Sequence, residues 1–222
     1  MKDIHKAWNK RQVKLRETLL RFDSPQQAME LFMTQHAMVH SAAVARQGLP
    51  SFEDEVLEGM SEEQIRRLPS SEEHSVAWLL WHIARIEDVT MNVLVAGESQ
   101  IFNLDRWHAR LGIVAKDTGN ATDEGAVVEL SQAVDIEALR AYRQAVGHRT
   151  REIVAQLRPE QLKQKVGPGR LQRLLDEGAV LPEAQELIDY WGRRTIAELL
   201  LMPPTRHNFI HLNEAQRVKR CR

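Results

Sequence analysis

The chain has 222 residues, 43% of them hydrophobic and 27% charged, which suffices for one sizeable core and excludes wholesale disorder. With 30 Lys and Arg against 31 Asp and Glu the formal net charge is -1, so global charge gives no support for a nucleic-acid or anionic-membrane surface. The single cysteine, Cys221, excludes an internal disulfide and a cysteine-built metal cage.

No stretch approaches the roughly 18 apolar residues that a membrane span requires. The first residues, Met1-Lys2-Asp3-Ile4-His5-Lys6, are charged where a signal peptide would be apolar. The expectation is one domain over residues 1–222, in a reducing cytoplasm, with neither membrane nor nucleic acid as partner.

Ile4, Trp8, Leu15, Leu19 and Phe22 recur at helical spacing and predict an amphipathic helix over 2–22. A second helix should begin at Pro25, with Ser24 as N-cap and Gln27 completing a capping box, and run to about Arg46. Residues 51–70 read as short amphipathic pieces. From His74 to about Val95, Val76, Leu79, Leu80, Ile83, Ile86, Val93 and Leu94 mark one side of a core helix, closed by Ala96-Gly97. Residues 98–134, including Asp117-Thr118-Gly119-Asn120, lack a steady period and read as an irregular connection.

Asp135 can cap the next helix, whose stripe of Leu139, Tyr142, Val146, Ile153 and Leu157 ends at Arg158-Pro159. Gly167-Pro168-Gly169 reads as a loop. A short helix near 170–177 and a longer one from about Pro182 to Met202 follow. Pro203-Pro204 should break the pattern before a last helix over 205–219. Its basic tail, Arg217, Lys219, Arg220 and Arg222, is read as neutralising a helix C-terminus. No segment alternates with period two long enough for a sheet, so the fold class is all-α.

His207 and His211 stand four apart in the last helix, which puts both rings on one face, one turn apart. Ile210, Glu214 and Val218 share that face, placing the pair at the edge of a buried stripe. His82, between Leu79 and Ile86 on the other strongly periodic helix, is the candidate for a third ligand. Imidazole nitrogens suit transition metals, Zn or Ni first, and three protein ligands leave an open position. The same spacing also occurs in helices that bind nothing, so spacing alone leaves a polar core role open.

His36 and His40 are also four apart and are read as structural or pocket-lining. His5, His74, His108 and His148 have no partner at ligand spacing. Asn208 stands where a zinc protease of the His-Glu-x-x-His type carries its general base, which argues against peptide hydrolysis. No nucleophile elbow or phosphate-binding loop is present. Trp78 and Trp81 flank His82 and could wall a pocket, with Arg206 beside the terminal pair. If imidazoles of ordinary pKa bind the ion, affinity should weaken as pH falls from 7 toward 5.

The segments HSVAWLLWHIARIED at 74–88 and RHNFIHLNEAQRV at 206–218 resemble the DinB/YfiT-like metalloenzymes, over roughly residues 24–219. That resemblance implies a four-helix bundle with a long crossover, a metal held by His82, His207 and His211, and a homodimer. Among such proteins are S-transferases that use low-molecular-weight thiols, which implies a thiol co-substrate and a small electrophile. The N-terminal helix, the 98–134 loop and the 167–202 stretch lengthen this chain beyond a minimal member. Glu214 stands where relatives often carry Gln, and could orient a ligand or accept a proton. The competing reading is a non-catalytic helical bundle, a ligand-binding or stress-related protein whose histidines are polar core residues.

Overall fold

The computed structural model describes residues 2–45, 48–69 and 74–220, the first three of these as backbone only. Arg46, the expected end of the second helix, and Cys221 lie outside the described residues. Among them no strand forms, and a single antiparallel bridge joins Lys165 to Thr195.

Helix α1, Lys2–Arg21, buries Trp8, Leu15 and Leu19 against α2, Pro25–Met38. Pro25 takes the first helical position, where a missing N–H costs nothing. Ser24 occupies the N-cap but its side chain caps nothing, so the expected capping box with Gln27 does not form. Helix α2 also stops well short of Arg46. The His40 ring turns inward and its carbonyl accepts from the Ser51 hydroxyl at 2.7 Å, which takes the chain off the helical path. Short helices α3, Ala42–Ala45, α4, Phe52–Leu57, and α5, Glu62–Arg66, follow. Lys219 Nζ donates to the carbonyls of Glu55 and Glu58 at the end of α4, the role expected for the basic tail.

Helix α6, Val76–Asp88, starts where the Ser75 hydroxyl accepts from Trp78 N. It is buried on every face, not on one side as its apolar periodicity suggests, and takes Arg85, Glu87 and Asp88 into the interior with it. The chain continues as a π-helical segment, Val89–Ala96, and leaves it at Gly97 with φ +78°. Arg170 closes this end by donating to the carbonyls of Leu94 and Val95 at 2.8 Å.

The 98–134 connection is more regular than its sequence suggests. It holds α7, Trp107–Leu111, and α8, Glu124–Ala133, the latter capped by Asp123. Only Val127, Leu130 and Ser131 of α8 are buried, too few to give a visible period. Helix α9, Ile136–Gln156, is capped by Asp135 as expected and buries Leu139, Tyr142, Val146 and Ile153.

Gly167-Pro168-Gly169 opens α10, Pro168–Asp176, instead of standing as a loop. The single helix expected over 182–202 is divided into α11, Gln185–Gly192, and α12, Ile196–Leu201. Thr195 forms a capping box with Glu198, and Ile196 N donates to the Gln164 carbonyl at 2.9 Å, which fixes the break.

Pro203 and Pro204 do not interrupt the last helix. Both lie inside a π-helical segment, Met202–His207, that runs directly into α13, Asn208–Arg220. Proline cannot donate to the preceding turn, and side chains take its place. Thr205 Oγ1 lies 3.1 Å from the Leu200 carbonyl and 2.9 Å from that of Leu201, and Gln12 Nε2 donates to Leu201 O at 3.0 Å.

The bundle consists of α2, α6 with its π extension, α9, and α13 with the π segment before it. Helix α6 packs on both α9 and α13, and α2 closes against α9 and that π segment. Three connections carry the other helices that follow α2: α3 to α5 lie between α2 and α6, α7 and α8 between α6 and α9, and α10 to α12 between α9 and α13. Helix α1 lies outside this group, against α2 and α12, and its Trp8 stacks on Phe209 at 3.9 Å.

Candidate metal centre

His82, His207 and His211 come together as the sequence pattern anticipates. Each offers a ring nitrogen, and the three nitrogens lie within 4.8 Å of one another. Helix α6 supplies His82, the end of the π segment supplies His207 and α13 supplies His211. Ring centroids are 5.0 Å apart for His82 with either partner and 4.5 Å for His207 with His211.

The tautomers follow from the surroundings. His82 Nδ1 lies 2.6 Å from the Thr118 carbonyl, which can only accept, so Nδ1 carries the proton and Nε2 a lone pair. His211 Nδ1 lies 2.9 Å from Glu214 Oε2, an acceptor by the same reasoning. Two of the three rings are thus oriented from behind in the way that metal-ligating histidines usually are, with Nε2 directed into the cluster. His207 Nε2 approaches His82 Nε2 at 3.2 Å, while His207 Nδ1 is buried without a partner. Converging imidazole lone pairs, with no carboxylate among them, fit a borderline transition metal better than Mg or Ca.

Burial and the neighbouring His211 push His82 down to about 3. Burial, reinforced by His82 and His211, holds His207 well below its ordinary value. Both are neutral at pH 7, the form that ligation needs. Burial alone would raise the Glu214 carboxyl, but hydrogen bonds from His211 and His74 outweigh it and hold the group at about 2.

From its sequence position Glu214 is either a proton acceptor or a ligand-orienting group. Its two oxygens face His211 Nδ1 at 2.9 Å and His74 Nδ1 at 3.3 Å. His74, which sequence spacing left without a partner, is therefore tied to the cluster, and it stacks on Trp78 at 3.8 Å. Trp78 in turn stacks on His82 with ring planes 10° apart. The side chains of His211, Glu214 and His74 keep 21%, 24% and 35% of their surface, and this is the open side of the site. Trp81 is fully buried and belongs to the core. Ile210 points outward with 43% of its surface exposed, contrary to its place on the expected buried face. Arg206 is exposed, and no hydrogen bond or ion pair holds it among the described residues.

The Asp117–Asn120 turn is what the sequence reading missed. Gly119 has φ +81°, and a Cβ there would come within 2.7 Å of Trp81 and 3.0 Å of Trp78. The glycine lets the loop lie flat on the two indoles, with Asp117 Oδ1 accepting from Gly119 N at 2.7 Å, and so presents the Thr118 carbonyl to His82. The turn chemistry was visible in the sequence, but its target was not.

The second histidine pair also acquires a partner. His36 and His40 each place Nε2 2.9 Å from one oxygen of Glu87, with all three side chains fully buried. The structural reading of that pair agrees with this burial.

A family model described as the DinB superfamily matches residues 54–215. The match contains all three clustered histidines and is narrower at its N-terminal end than the 24–219 resemblance. No curated protein matches the sequence. With well over half of its length covered by that model, the chain belongs to the DinB superfamily.

Proposed function

We propose that His82, His207 and His211 hold one divalent transition metal ion, Zn or Ni first, in an enzyme that joins a low-molecular-weight thiol to a small electrophile. The observation that carries this reading is the pair of engaged Nδ1 atoms. Because Thr118 O and Glu214 engage the Nδ1 atoms of His82 and His211 from behind, the opposite ring nitrogens are left for one shared space. Without a cation the His82 lone pair is met by His207 Nε2 at 3.2 Å, and a cation in that place would serve all three rings.

A bound divalent ion would supply Lewis-acid chemistry, favouring the anionic form of a thiol. The residues of the chain do the rest. Glu214 is ionised at neutral pH and engaged on both oxygens, so its part is to hold His211 and His74 in place. His74, which keeps 35% of its surface and stacks on the buried Trp78, gives the open side an aromatic ring against which a flat electrophile can lie. Exposure of His74, Glu214 and His211 gives the thiol proton a route to solvent. No described helix is long and apolar enough to cross a membrane, and the proposal places the protein in the cytoplasm as a single-domain homodimer.

Metal analysis and native mass spectrometry test the ligand set. About one ion should be lost when His82, His207 or His211 is replaced by Ala, and unchanged stoichiometry and affinity in any of these variants would remove that residue from the set. The activity is tested with several thiols and a halodinitrobenzene, comparing metal-loaded, chelated and His211→Ala protein. Equal rates in all three would eliminate metal-dependent thiol transfer. No turnover in any would favour the non-catalytic binding protein.

A further inference from the structure

Beneath the triad, a second constellation has the composition of a ligand set. Glu87 lies on α6, His36 and His40 on and just after α2, and Asn208 at the start of α13, so three bundle helices converge on one carboxylate. His36 Nε2 meets Oε1 and His40 Nε2 meets Oε2, both at 2.9 Å, and Asn208 Nδ2 donates to Oε2 at 2.6 Å. Every one of these residues has no exposed surface. His36 and His40 fall outside the residues that the family model matches.

We propose that His36, His40 and Glu87, joined by Asn208, form a second and deeply buried site for a divalent transition metal ion. Their ligand atoms lie within 4.8 Å of one another. Bonds of about 2.0–2.2 Å at roughly 90–110° separate neighbouring ligand atoms by about 2.9–3.5 Å, and both histidine–carboxylate separations fall on that spacing. Two imidazoles and a carboxylate favour Zn, Fe, Co or Ni over Mg and Ca.

Proton placement is compatible with an ion. With Nε2 donating to Glu87, His36 Nδ1 and His40 Nδ1 are buried and unpartnered. When Nε2 turns to a cation, each ring keeps its one proton on Nδ1 without breaking any protein hydrogen bond made there, and no proton leaves the protein. Asn208 Oδ1 is likewise buried without a partner. The amide orientation is set by the hydrogen-bond network, and a half-turn presents Oδ1 as a fourth donor. Of the nearby cations, Arg143 is paired with Glu53 and Arg151 donates to the Met33 carbonyl at 2.9 Å, so neither is spent on Glu87.

The fold makes room for this cluster at a cost. Gly147 sits inside α9, where glycine is a poorer helix former than alanine. A Cβ there would come within 2.7 Å of His40 Nδ1, so the glycine is what admits the ring.

This proposal is independent of the thiol-transfer reading. Full burial implies loading during folding, so the test unfolds the full chain and refolds it with Zn(II) or Co(II), removes loosely held metal by gel filtration, and counts ions by native mass spectrometry. Two ions per chain are expected. A chain carrying His82→Ala, His207→Ala and His211→Ala should keep one, with a Co(II) absorption spectrum of its own. A chain carrying His36→Gln and His40→Gln, in which the amides retain hydrogen bonding to Glu87, should lose that ion and keep the other. Circular dichroism confirms that each variant has refolded. A single ion in the unsubstituted chain, absent from the triple variant, would overturn the proposal, as would a count unchanged by the two glutamines.

Discussion

His82 and His207 face each other nitrogen to nitrogen, Nε2 to Nε2 at 3.2 Å, although 125 residues separate them in the chain. Since Thr118 O fixes the His82 proton on Nδ1, the lone pair of His82 is aimed at His207, and whatever occupies that gap must be a proton or a cation.

The turn behind His82 should control this arrangement. Gly119→Ala places a methyl group 2.7 Å from Trp81 in a backbone conformation that L residues rarely adopt, which costs about 1–3 kcal/mol. Displacing the Thr118 carbonyl should also weaken metal affinity about 10- to 100-fold. Thermal denaturation and competition with a chromophoric chelator would measure the two effects. A variant with unchanged affinity would show that the loop does not position His82.

Glu214→Gln should lower metal affinity by a similar factor while leaving the fold intact, because the side chain is only half-buried and its partners can turn to water. Zn(II) competition titration alongside circular dichroism gives both readouts.

The pH dependence of metal binding should be shallower than ordinary imidazoles would give. Three ligands of pKa about 6.5 would lose about four orders of magnitude in affinity between pH 7 and pH 5. Burial has already removed the proton competition at His82 and His207, so the loss should be far smaller. Zn(II) titration at the two pH values decides it.

Stability of the metal-free protein should have its own acid dependence. His40 and His82 are both pushed down to about 3, chiefly by burial, and each would take a proton on unfolding below about 6.5. A lowered folded pKa means that this stability is complete above about pH 6.5 and is lost as pH falls toward 3. The urea midpoint should therefore fall across that window, with His40→Gln reducing the proton uptake on unfolding by about one.

Thr205→Val keeps the shape of the side chain but removes the hydroxyl that serves the Leu200 and Leu201 carbonyls beside the two prolines. A loss of about 1–3 kcal/mol is expected, read from denaturant unfolding. An unchanged midpoint would mean that solvent satisfies those carbonyls equally well.

Local sequence settled much about this protein. Helical periodicity gave the all-α class and the main helices, Pro25 and Asp135 mark helix starts that the structure keeps, and the four-residue spacing put His207 and His211 on one face. These features depend on interactions within a turn or two of chain, so they can be read from neighbours. The boundaries near Arg46 and Pro203 could not, because a hydroxyl from Ser51 or Thr205 and an amide from Gln12 override local preference. The same holds for the site. Nothing in the spacing of residues ties Thr118 to His82, His74 to Glu214, or Glu87 to His36 and His40. Those pairings join segments distant in sequence, and only packing around α6 decided which polar groups a buried imidazole would meet.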